Sequence, residues 1–244
     1  MNKYEMLQDD KIEVSGHILY RIKALKDFGD VEAGDLGSYI EGEKNLSQDR
    51  DCWVYGNARV FGNARVCGNA YVYGNAYVYG NARVYGNAYV YDNAYVYGDA
   101  YVCGNACVCG NAYVYGDACV YGDAYVYDNA RVCDNAYVYG NAKVFGNAKI
   151  FDNAKVFDRA EVYGSAKISK ANDILCIAPI GSRNDVTTFF KTKDNNICVK
   201  CGCFTGTIDN FLGAVEETHG ENKHAKAYKL ACELARVQIE LENV

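Results

Sequence analysis

The chain has one proline, one tryptophan, two methionines and three histidines among its 244 residues. A single proline leaves no room for a polyproline segment or a proline-rich linker. No window approaches the apolar length of a membrane span, so no membrane contact is expected. The opening "MNKYEMLQDDKIEV" lacks the apolar stretch of a secretion signal, and a cytoplasmic location follows as the expectation. Positive charge is in deficit: the formal net charge is -6. A broad basic surface for nucleic acid is therefore not expected. The histidines, His17, His219 and His224, all lie outside residues 52–171, so the middle of the chain offers no imidazole base.

Cysteine is plentiful, with 12 residues. Without a secretion signal these read as reduced thiols rather than a disulfide framework. Seven of them (Cys52, Cys67, Cys103, Cys107, Cys109, Cys119, Cys133) stand inside a repeat, at slots read as outward-facing and otherwise held by tyrosine, phenylalanine, arginine or lysine.

That repeat dominates the chain. From Val54 to Ile168 every sixth residue is valine or isoleucine, giving twenty hexapeptides without an insertion. A fixed short period marks a solenoid. In Ala88-Tyr89-Val90-Tyr91-Asp92-Asn93, strand alternation puts Ala88 and Val90 on one face and the tyrosines on the other. The small apolar pair suits the inside of a narrow tube. Gly or Asp followed by Asn or Asp then turns the chain, because these residues tolerate positive φ. Asn111 is one corner expected in that conformation. Three corners close a triangle, so twenty hexapeptides make six to seven coils and a prism roughly 30 Å long at about 4.8 Å per coil.

Three parts follow. Residues 1–51 read as an N-terminal cap, with a strand near Ile18–Leu25 and a first irregular coil near Gly37–Leu46. Residues 52–171 are the prism, and Pro179 marks the boundary beyond it. Residues 172–244 read as a ββαα domain covering the prism end: strands at Val186–Lys191 and Ile197–Cys201, then helices at Ile208–His219 and about Lys223–Glu242.

The pattern V-x-G-N-A-x resembles the hexapeptide repeat of left-handed parallel β-helices. That family is best known for trimeric acyltransferases and scaffold subunits. The resemblance implies a mostly β fold, a left-handed triangular prism. The segment Ala24 to Ala58 also resembles poorly characterised hexapeptide proteins of bacterial genomes, phages and prophages, often labelled acetyltransferases. The matching residues include Asp27, Phe28, Asp30, Val31, Gly34, Leu46, Ser47, Gln48, Asp51, Cys52 and Trp53. The tail "IGSRNDVTTFF" to "EETHGENKHAKAY" is similar to phage and prophage relatives. These likenesses place the expected cytoplasm in a bacterial host cell.

The acyltransferase reading has little chemistry to stand on, since the prism has neither a histidine nor a protruding loop. An unconventional site would have to use Arg183, Asp185, Cys203 and His219 in the tail. Cys198, Cys201, Cys203 and His219 have a zinc-like composition. The spacing fits packing better, with Cys201 and Cys203 on one strand face against the helices. Corner aspartates read as turn residues, and no cofactor is expected.

The outer face is richer. Residues eighteen apart stack, which aligns Trp53, Tyr71, Tyr89 and Tyr125 in one column and Tyr55, Tyr73, Tyr91 and Tyr127 in the next. Such ladders stabilise a sheet and also mark a partner face. The leading expectation is a non-enzymatic interaction or scaffold protein that binds itself, as a dimer or trimer, and a bacterial protein such as a host defence factor. The alternatives are the unconventional acyltransferase and a small-molecule or glycan binder.

Overall fold

A computed structural model describes residues 2–241. Its body is a β-solenoid of about seven turns with three parallel sheets. Twenty two-residue strands, from β4 (Trp53–Val54) to β23 (Lys167–Ile168), occupy the predicted positions. Each pairs in parallel with the strand eighteen residues away, as in Val90 with Val72 and Val108. Alanine and valine point inward: the interior slots from Ala58 to Val162 are fully buried. A tube this narrow accepts only these sizes, which is why the two slots hardly vary.

The corners follow a different rule from the expected one. The left-handed residue is the first of the pair, Gly110 at φ 65° or Asp92 at φ 58°, and Asn111 is not among the positive-φ residues. Asparagine holds the second slot for its side chain. Its amide donates to the amide oxygen one coil on, as Asn93 to Asn111 at 3.2 Å and Asn111 to Asn129 at 3.3 Å. Three such amide ladders run along the prism edges, one beginning at Asn57, one at Asn63 and one at Asn69.

The N-terminal end is closed by a hairpin of β1 (Tyr4–Val14) and β2 (His17–Ala24), then β3 (Leu36–Ile40). Only the second strand is evident in the sequence. β1 reads as polar because it is an edge strand with little to bury. Ser15 and Gly16, both at positive φ, form the tight turn between them. β2 pairs with β3, which pairs with the first prism strand of its sheet, so the open edge is covered. Gly37 permits this closeness: a Cβ there would lie 2.4 Å from Ile22 and 2.7 Å from Trp53. Polar side chains replace missing backbone partners, with Asn45 donating to Ala64 O at 2.9 Å and Ser38 to Ala58 O at 2.6 Å. Cys52 stands in an alanine slot and is fully buried, not outward as expected, and the Lys3 ammonium donates to its carbonyl at 2.7 Å.

At the far end the tail is a four-stranded antiparallel sheet with two helices, rather than ββαα. The strands are β24 (Ile174–Ile180), β25 (Asp185–Lys191), β26 (Ile197–Cys201) and β27 (Phe204–Thr207); the helices are α1 (Ile208–His219) and α2 (Lys223–Gln238). Pro179 lies inside β24 instead of marking a boundary. An edge strand with a register shift after Ile177 tolerates the missing N–H. Alternation along β25 sends Phe190 to the prism core and Phe189 to the helices. Lys193 N–H donates to Ser165 O at 2.8 Å, tying the sheet to the last corner. α2 ends at Gln238, short of the expected Glu242, which lies outside the described residues. Among the described residues no helix is long and apolar enough to cross a membrane.

Candidate interaction surface

Each prism face carries two outward columns, one before and one after the buried valine. Because parallel strands are in register, like side chains superpose coil by coil. Tyr55, Tyr73 and Tyr91 stack with centroids 4.9 and 4.8 Å apart, and Tyr73 and Tyr91 are only 2° from parallel. Tyr127, Phe145 and Tyr163 continue the same column at 4.8 Å. On the next face Phe61, Tyr79, Tyr97 and Tyr115 stack at 4.9 to 5.1 Å.

The structure corrects the face in two places. Trp53 is 2% exposed, because the 25–35 loop lays Phe28 edge-on against it at 5.3 Å. It is a core residue of the cap and not part of an open surface. Between Tyr89 and Tyr125 the column holds Cys107, and between Tyr91 and Tyr127 it holds Cys109, so both ladders miss a rung in the same coil. What remains open is Tyr55 at 36%, Tyr89 at 38% and Tyr125 at 43% exposure, flanked by the half-buried Tyr71, Tyr73, Tyr91 and Tyr127.

Basic residues occupy rungs of these ladders. Arg59 lies over Tyr77 at 4.9 Å, Arg83 over Tyr101 at 5.4 Å and Arg131 over Tyr113 at 5.5 Å. Their guanidinium planes rest on ring faces within the sheet.

Burial and neighbouring thiols raise several of the phenols. Burial between its neighbours pushes Tyr73 up to about 12. Tyr85 and Tyr115 are also pushed up to about 12, chiefly by the thiols of Cys103 and Cys133 and then by burial. An unfolded phenol ionises near ~10. These raised values contribute stability that is complete below that pH and is lost as pH rises towards the folded values. Alkaline titration followed by tyrosinate absorbance and circular dichroism should show ionisation lagging behind free tyrosine, then rising as β structure is lost. Titration at the free-tyrosine value with the prism intact would contradict the ladder account.

The tail does not assemble the metal set. Cys198 packs towards the prism core, whereas Cys201 packs towards the helices, its thiol 3.5 Å from the Tyr228 hydroxyl. Cys203 is exposed at a turn instead of packing against the helices. Among the described residues no group of three or more His, Cys, Asp or Glu is placed to share an ion. All twelve cysteines are free thiols. The unconventional acyl site is likewise dispersed. Arg183 and His219 line one cleft with Cys201 and Tyr228, while Asp185 pairs with Arg159 at 3.3 Å beside another.

One surface feature is not evident in the sequence. Leu230, Leu234 and Val237 form an exposed apolar stripe on α2, opposite the buried face of Ala231, Cys232 and Ala235. Its signal was the i, i+4, i+7 spacing, which overlaps the core pattern of the same helix.

The fold and its laddered faces define a β-solenoid repeat protein. Residues 54–68 and 76–91 match the family model described as the YdcK Beta solenoid repeat. Among curated proteins, none matches the chain.

Proposed function

We propose that the protein is a non-enzymatic interaction protein that presents its tyrosine face to protein partners. The observation that carries this reading is the exposure of Tyr89 and Tyr125 on a rigid, regular sheet, with stacked tyrosines beside them. Tyrosine gives large contact area at small entropic cost, and the ladder has already fixed the neighbouring rotamers. The first partner is a second or third copy of the chain. The resemblance to phage and prophage proteins extends the reading to a bacterial protein, with a host defence factor as the class to seek.

The double change Tyr89→Lys and Tyr125→Lys puts two charges into the contact and leaves the core untouched. Light scattering should report an oligomer for the wild type and a monomer for the variant, both with the same β-rich circular dichroism. A wild type that is already monomeric at micromolar concentration, or an unchanged oligomer in the variant, refutes self-association through this face. Capture from a bacterial lysate with wild type and variant as paired baits tests the foreign partner. The expected result is a protein retained only by the wild type.

A further inference from the structure

At the N-terminal end of the tyrosine face, the 25–35 loop stands off from the prism and leaves a cleft of about 310 Å³. Its lining includes Asp30, Asp35, Leu36, Trp53, Tyr55 and Tyr71. The aromatic walls meet at a corner: the Tyr55 and Tyr71 rings are 6.3 Å apart and 79° from parallel. The two rings belong to adjacent columns, whereas within each column neighbouring rings stack nearly parallel, as Tyr55 with Tyr73 at 7° and Tyr71 with Tyr89 at 15°. Trp53 forms the floor, held by Phe28 and by Tyr4 at 6.1 Å.

The loop is built to hold its shape. Phe28 and Val31 exchange backbone hydrogen bonds of 3.0 and 2.9 Å, and Asp27 accepts from Ala33 N at 2.8 Å. Asp35 accepts from Glu32 N at 2.9 Å. Burial raises the Tyr55 and Tyr71 phenols, and the nearby Asp30 carboxylate adds to both shifts. Among the described residues no lysine or arginine forms an ion pair with Asp30 or Asp35.

Perpendicular ring faces present negative potential to a shared point, and a nearby carboxylate adds to it. A small inorganic cation would lose more hydration there than the rings return. A guanidinium or alkylated ammonium is weakly hydrated and has the apolar surface to fill the corner. From this geometry we infer that the cleft binds an organic cation, the head of an arginine side chain or of an alkylated amine. The site deepens the interaction reading, since it sits at the end of the same face and names chemistry that a partner would bring there.

The only tryptophan of the chain is the cleft floor, so tryptophan emission reports this site alone. Choline and N-acetylarginine amide are titrated against the intact protein. Their neutral isosteres, 3,3-dimethylbutanol and N-acetylcitrulline amide, serve as controls. A saturable change with either cation in the millimolar range, and none with its isostere, supports the site; which cation binds more tightly assigns the head group. Asp30→Asn, in an exposed loop position, should weaken binding roughly threefold to tenfold while leaving the melting temperature unchanged. Absence of a saturable response to both cations overturns the inference, as does an equal response to the isosteres. Tyr125→Lys alone, three coils beyond Tyr71 on the same column, should give the wild-type cation response while still placing a charge in the self-association face. Failure of self-association and failure of the cleft are thereby read separately.

Discussion

Val108→Asp is expected to abolish folding of the central coils. Val108 is fully buried and stacks between Val90 and Val126 in the tube. The tube wall at this level is alanine and valine, with no polar side chain to receive a carboxylate. Burying the charge, or the protonated acid without a partner, costs several kcal/mol, roughly the whole stability of many domains. A solenoid also relays the damage, because each coil is stabilised only by its neighbours. The variant should accumulate as aggregate or as soluble protein with much reduced β signal by circular dichroism. A soluble variant with the wild-type melting temperature would place Val108 on the outside and overturn the register.

The second large effect belongs to the corners. Gly110 sits at φ 65°, and a Cβ there would come within 2.8 Å of the Asp128 backbone nitrogen. A β-branched residue resists this conformation and cannot rotate away from the next coil. Gly110→Val should therefore cost about 3 kcal/mol, combining left-handed strain with overpacking. Gly110→Asp should cost about 1 kcal/mol or less, because Asp92 and Asp128 already hold the equivalent slot at φ 58° and 57°. There the carboxylate offsets the strain by accepting from the backbone N–H of the next coil, Gly110 N at 3.3 Å and Gly146 N at 3.2 Å. Denaturant midpoints of the two variants measure the difference. Equal midpoints would mean that backbone conformation does not select the residues at these corners.

The prism was legible because its signal is local and repeated. Alternation fixes which side faces in, and twenty copies average out any single ambiguity, down to the burial of Ala88 and Val90. The corner was misread by one residue because Gly, Asp and Asn share a tolerance for positive φ, so composition alone could not say whether Gly110 or Asn111 adopts it. The amide ladder that explains Asn111 depends on stacking eighteen residues away. Trp53 reads outward because the repeat extends to its first coil, where the cap covers the outer face; Cys52 occupies the inward alanine slot, and its burial obeys the repeat although it reads as one of the outward cysteines. β24 and β27 were missed for ordinary reasons: one contains Pro179, and the other is four residues long and contains Gly206. The aromatic corner in the cleft is set by a loop that folds back from outside the repeat, and no periodicity encodes it.

The two ends of the molecule are each fastened to one particular side of the prism: β3 to the strand at Arg59–Val60, and the C-terminal sheet to the corner at Ser165 and Ala166. Between them, pairing repeats every eighteen residues, in three strands that head in three directions. Excision of eighteen residues would bring the end pieces about 4.8 Å closer and leave their mutual orientation unchanged. Excision of six would instead swing one end piece about the long axis by a third of a turn. The separation of the two ends and the angle between them are thus independent dimensions, and the chain can adjust either one without writing a new structural element.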